Sequence, residues 1–154
     1  MNTPLVRALL VLALPACVGP TFIEQNYPGA PRPADAIAIL RVNGSDTPRI
    51  LGIDNEENAA SHGLPSDGRL HVELLPGRHV VVAAKTLPAM GRWVGPCGPD
   101  SLAFDAEVGK VYRLVVVEPA NDASCPRTLG VFEVDGKSDR VIRDVTQTPP
   151  APTE

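Results

Sequence analysis

Aromatic residues are scarce in this 154-residue chain, at 4%, which leaves too few rings for a platform that stacks bases or sugars. Clusters of Lys and Arg are missing too. With 14 Lys+Arg against 18 Asp+Glu, the formal charge is −4, so a nucleic-acid partner is disfavoured. Long amphipathic runs are absent because 17 Pro and 13 Gly interrupt the chain, and this argues against a helical bundle. No internal repeat recurs at a fixed period. The chain does have 44% hydrophobic residues, mostly Val, Ile and Leu in short runs. That is enough for one packed domain.

Residues 1–16 read as a signal peptide. Arg7 supplies one positive charge, and Ala8-Leu9-Leu10-Val11-Leu12-Ala13-Leu14 is an apolar stretch far short of the about 20 residues that span a bilayer. Leu14-Pro15-Ala16-Cys17 follows, and resembles the lipobox of bacterial lipoproteins: Leu, a variable residue, a small residue, then Cys. Pro15 departs from the usual occupant of the variable position. The resemblance implies cleavage before Cys17 and acylation of that residue, hence attachment to the membrane through lipid. Val18, where an Asp would suggest inner-membrane retention in enteric-type bacteria, favours an outer membrane lipoprotein facing the periplasm or the cell surface. An ordinary secretory signal with an incidental Cys is the competing reading.

The chain has three Cys. With Cys17 carrying lipid, Cys97 and Cys125 remain, and an oxidising compartment favours a disulfide between them. Closing that loop contributes about 3 kcal/mol on chain-entropy grounds. Two Cys with no His nearby in sequence are too few for a metal site.

Residues 17–35 hold Pro20, Pro28, Pro31 and Pro33 and read as an extended tether of ~50 Å at about 3.1 Å per residue. Residues 146–154, with Pro149, Pro150 and Pro152, read as a disordered tail. Residues 36–145 are the folded unit. Its patterning predicts an all-β domain, a single antiparallel β-sandwich of about 7–8 short strands. The strands are expected at Ala36–Val42, Arg49–Asp54, Arg69–Leu75, Arg78–Ala84, Ser101–Glu107, Val111–Glu118, Thr128–Asp135 and Arg140–Val145. Asn55–His62 has the pattern of one helical turn.

Two connections look like hairpins. At Leu75-Pro76-Gly77-Arg78, Pro fixes one turn angle and Gly supplies a positive φ. Pairing across that turn puts Leu70, Val72, Leu74, His79, Val81 and Ala83 on the core face. A second hairpin across Val108-Gly109-Lys110 turns Leu102, Phe104 and Ala106 inward beside Tyr112, Leu114 and Val116. It also returns Cys97 and Cys125 to the same end.

The segments Ile53-Asp54, Val72-Glu73-Leu74-Leu75-Pro76-Gly77-Arg78-His79 and Phe104-Asp105-Ala106-Glu107-Val108-Gly109-Lys110-Val111-Tyr112 resemble the small β-sandwich domains of uncharacterised bacterial lipoproteins, akin to PEGA-type and transthyretin-like modules. The likeness covers about residues 36–118. It implies a fold and a surface location, and carries no catalytic residues with it.

Chemical constellations are few. His71 and His79 fall on opposite faces and cannot share an ion, while Ser61-His62 lacks a nucleophile elbow. His79 is expected to be a buried, neutral, hydrogen-bonded core histidine. Asp46, Asp54, Glu56 and Glu57 lack the ligand spacing of a Ca²⁺ loop. Residues 86–99 form a long loop holding Met90, Arg92 and the only Trp, Trp93. It is either a binding loop or a lid packed on the core or the disulfide. The sequence thus favours a non-enzymatic, lipid-anchored envelope protein acting as an interaction or structural module, with an envelope protein as partner and no cofactor or metal. The alternative is a solute- or glycan-binding lipoprotein using the Trp93 loop. An envelope hydrolase ranks third, for want of a nucleophile–base pair.

Overall fold

The computed structural model describes residues 19–43, 48–57, 68–85, 99–117 and 128–149. Within them lie strands β1 (Thr21–Gln25), β2 (Ala38–Asn43), β3 (Pro48–Ile53), β4 (Glu56–Glu57), β5 (Arg69–Leu74), β6 (Gly77–Lys85), β7 (Asp100–Ala106), β8 (Val111–Val117), β9 (Thr128–Val134) and β10 (Val141–Asp144). They form two sheets, ordered β1-β5-β2-β8-β9-β10 and β4-β3-β6-β7, packed face to face as an all-β sandwich.

The core follows from the alternation. Leu40, Val42, Leu70, Val72, Leu74, Tyr112, Leu114 and Val131 come from the larger sheet, and Ile50, Ile53, Val81, Ala83 and Phe104 from the smaller. Ile50 and Ile53 are three apart yet both fully buried. The register of β3 against β6 shifts between Ile50 and Gly52, and that bulge restores the inward face. Each of the eight expected strands is present near its expected bounds.

Their pairing differs from the expectation in three ways. The larger sheet is mixed, not purely antiparallel: β1 runs parallel to β5, and β2 parallel to β8. Neither expected hairpin is one. β5 lies in the larger sheet and β6 in the smaller, and β7 and β8 are likewise divided. Both turns are therefore arches that carry the chain from one sheet to the other. The inward residues are as expected, but the two rows face each other across the core instead of lying side by side. Alternation fixes which residues are inside and is silent on which strand lies beside which.

The third difference is at the ends. The stretch read as a tether contains β1, whose Thr21 to Gln25 pair with Arg69 to Glu73. Pro20 accepts a bond from the Arg69 amide at 2.9 Å. Tyr27 is buried, and its hydroxyl donates to Glu73 Oε2 at 3.0 Å. The prolines punctuate a docked segment. At the other end, the stretch read as a disordered tail is bound as far as Thr148. Gln147 and Ala103 exchange backbone bonds of 2.9 and 2.7 Å, extending the exposed edge of β7. Thr146 Oγ1 accepts from the Val131 amide at 2.8 Å, and Arg78 donates to Gln147 Oε1 and to the Thr148 carbonyl.

The start of the expected helical turn is instead a two-residue hairpin. Asp54 and Asn55 take φ of 52° and 70° between paired β3 and β4, the left-handed pair of angles that such tight hairpins require. The rest of Asn55–His62 beyond Glu57 lies outside the described residues. Among the described residues no helix is long and apolar enough to cross a membrane.

Candidate functional site

Three polar constellations stand out from the sandwich, and His79 is at the centre of the first. It lies on β6 facing the core, 7% exposed, with its ring 6.0 Å from that of Phe104, which in turn lies 5.0 Å from Tyr112. Nδ1 is 2.6 Å from Asp54 Oδ2, and Nε2 is 2.7 Å from the Leu75 carbonyl oxygen. The tight hairpin after β3 is what aims Asp54. Its amide donates to the Val80 carbonyl at 2.9 Å, and its Oδ1 accepts from the Val80 amide at 2.8 Å.

The Leu75 carbonyl is an acceptor, and the Asp54 carboxyl offers a hydrogen-bond partner to the other ring nitrogen. Both ring nitrogens are thus engaged inside the protein, one by the Asp54 carboxyl and one by the Leu75 carbonyl. The expectation of a buried, hydrogen-bonded ring stands. With both nitrogens engaged, the ring makes its hydrogen bonds within the fold. The ring instead clamps the β3–β4 hairpin to the arch that starts at Leu75.

The second constellation centres on Glu133, 3% exposed at the end of β9. Lys110 Nζ donates to Oε1 at 2.9 Å and Arg143 Nε to Oε2 at 2.6 Å. These two bonds hold the Glu133 carboxyl below the usual carboxylate range, against the opposing effect of burial. Arg143 also reaches Glu107 at 2.8 Å. Nearby, Tyr112 Oη accepts from the Glu107 amide at 2.9 Å and so pins the second arch. Sequence reasoning missed Glu133. The signal was an acid in register with Leu129 and Val131, on the inward face of an otherwise apolar strand.

The third lies on the outer face of the larger sheet. Arg41 and Arg113 are neighbours in register across β2 and β8, and each approaches one oxygen of Asp139 at 3.4 Å. Asp139 is placed there by the turn after β9, where it takes a φ of 57°. His71 is next to Arg41 across β5. Burial, then the charges of Arg41 and Arg69, lower its proton affinity. His71 and His79 do not share a face, as expected, but they lie on different sheets and not on two sides of one hairpin.

Two shallow polar grooves accompany these groups. One of about 310 Å³ is lined by Gln25, Asn26, Tyr27, Pro28, Asp54 and Glu56. The other, of about 330 Å³, runs along Asp105, Glu107 and Arg143–Gln147. Among the described residues, no group of three His, Cys, Asp or Glu side chains gathers as a metal site would require.

No protein-family model, curated protein or solved structure matches the chain. Of the residues singled out from sequence, Cys17, Cys97, Cys125, His62, Met90, Arg92 and Trp93 lie outside the described residues, as does Asp46.

Proposed function

We propose that the protein is a lipid-anchored bacterial envelope protein whose β-sandwich is a non-enzymatic interaction or structural module. The observation that carries the non-enzymatic part is the commitment of both His79 nitrogens to Asp54 and Leu75, which uses up the best-placed general base in the described fold. The anchored part rests on Leu14-Pro15-Ala16-Cys17, whose Cys would carry the acyl chains, and the choice of the outer membrane rests on Val18 standing after that Cys in place of an Asp. An all-β sandwich with a Pro-Gly corner is also what the likeness to PEGA-type and transthyretin-like lipoprotein modules calls for.

A Cys97–Cys125 disulfide belongs to the same reading. The arch at 107–110 joins β7 to β8, so the start of β7 and the end of β8 are left at one end of the sandwich. Cys97 precedes the first and Cys125 follows the second. The test of anchoring is Cys17→Ser. It releases the protein from the membrane fraction and abolishes the lipid mass increment, whereas unchanged partitioning and mass overturn the assignment.

A further inference from the structure

The start of β1 bears directly on how such an anchor holds the domain. Only Val18, Gly19 and Pro20 separate Cys17 from Thr21. At no more than about 3.5 Å per residue, the Thr21 Cα lies within about 14 Å of the Cys17 Cα. An anchored sandwich therefore has β1 at the bilayer surface. The headgroup layer is itself some 5–8 Å deep on each side.

The side chains met there are unusual for an edge strand. Phe22 is 42% and Ile23 69% exposed. They point to opposite faces of the strand, Phe22 in register with Leu70 and Ile23 with His71. Edge strands are ordinarily blunted with charge. β1 carries its one acid, Glu24, one residue further along the strand, at a half-buried position.

A positive charge lies alongside. Exposed Arg69 is in register with Thr21, while further across the outer face Arg41 and Arg113 are paired with Asp139. Burial, and then the charges of Arg41 and Arg69, lower the proton affinity of His71 between them. In a chain with more acids than bases, the register with Thr21 places the Arg69 cation on the flank nearest the anchor, where acidic headgroups would meet it. The opposite edge, β10, also exposes Val141 and Ile142, but it lies at the far side of the six-stranded sheet.

We infer that the β1 edge is a lipid-contacting surface: Phe22 and Ile23 enter the headgroup–acyl boundary and Arg69 meets the phosphates of anionic lipids, so that the domain sits flush on the membrane. The inference rests on the anchored reading of Cys17 and specifies how the anchored domain is oriented.

The test uses the full mature chain, lipid included, reconstituted in vesicles of phosphatidylethanolamine and phosphatidylglycerol doped with a photoreactive lipid. Flotation reports anchoring; mass spectrometry of the labelled peptides reports contact. Label is expected on the peptide holding Phe22 and Ile23 and not on that holding Val141 and Ile142. In the Phe22→Ser, Ile23→Ser double variant it falls to background while the protein still floats and melts as a folded domain. Arg69→Glu is expected to lower the label in phosphatidylglycerol vesicles and to leave it unchanged in phosphatidylcholine. A floating chain without label at β1, or with equal label at both edges, overturns the inference and leaves the anchor intact. A mature chain that carries no lipid and does not float overturns the anchored reading and the inference with it.

Discussion

His79 is a histidine whose environment has already committed its chemistry. Removing it orphans Asp54 Oδ2 and the Leu75 carbonyl and opens a cavity beside Phe104. His79→Ala is therefore expected to lower stability by about 1–3 kcal/mol in denaturant melts. Because Asp54 acts through the same bond, a double-mutant cycle with Asp54→Ala should return a coupling of about 1 kcal/mol or more. A coupling indistinguishable from zero contradicts the clamp. Two other residues make stability depend on pH. The folded-state pKa of Glu133 is depressed below 4.5, so its contribution is present above that value and is lost as pH falls through the folded pKa. Glu133→Gln should flatten this acid limb. His71 is depressed from 6.5, so the unfolded chain binds the proton more readily and stability falls as pH drops through that value. His71→Gln should remove this loss, which melts near pH 5 and near pH 8 will reveal by their ratio to the parent.

At the scale of elements, the sequence disclosed strands and inward faces, and misled about their partners. Leu70, Val72 and Leu74 alternate as they would in a hairpin with His79, Val81 and Ala83, because alternation is the same whether two strands pair or face. What separates the cases is the path through the turn, and Pro76-Gly77 serves either. Gly77 has a φ of +137°, where an L side chain is strained. Gly77→Ala is expected to cost about 1 kcal/mol or more despite the open space where its Cβ would sit. β1 escaped notice because four prolines nearby suggested a solvated tether, although Thr21-Phe22-Ile23 has strand composition. The His79 site was half legible: its burial followed from the alternation, but Asp54 reaches it through a hairpin that only the Asp54-Asn55 pair announced. The C-terminal segment was read from its prolines, and the bonds of Thr146 and Gln147 carry no periodic signal. Deleting residues 146–154 removes the partner of Ala103 and bares the β7 edge, so a lower melting point and new self-association are expected in calorimetry and light scattering.

For the whole molecule, the two covalent features proposed from sequence can be checked together. Intact mass after non-reducing alkylation should show no free thiol at Cys97 or Cys125, and labelling of both in native material refutes their pairing. The parallel pairing of β1 with β5 has a different consequence, one of order in time. Among the described residues, the first strand has no neighbour among the next three strands; its partner, β5, comes only after β2, β3 and β4. In the anchored form proposed above, delivery across a membrane would start from the N-terminus, so β1 would still lack its partner while Cys17 was being modified. Once β5 has arrived and taken β2 on its other side, β1 closes onto the free edge. Assembly itself would then set the window for processing. Pulse-labelled hydrogen exchange during refolding should find the β1 amides protected last.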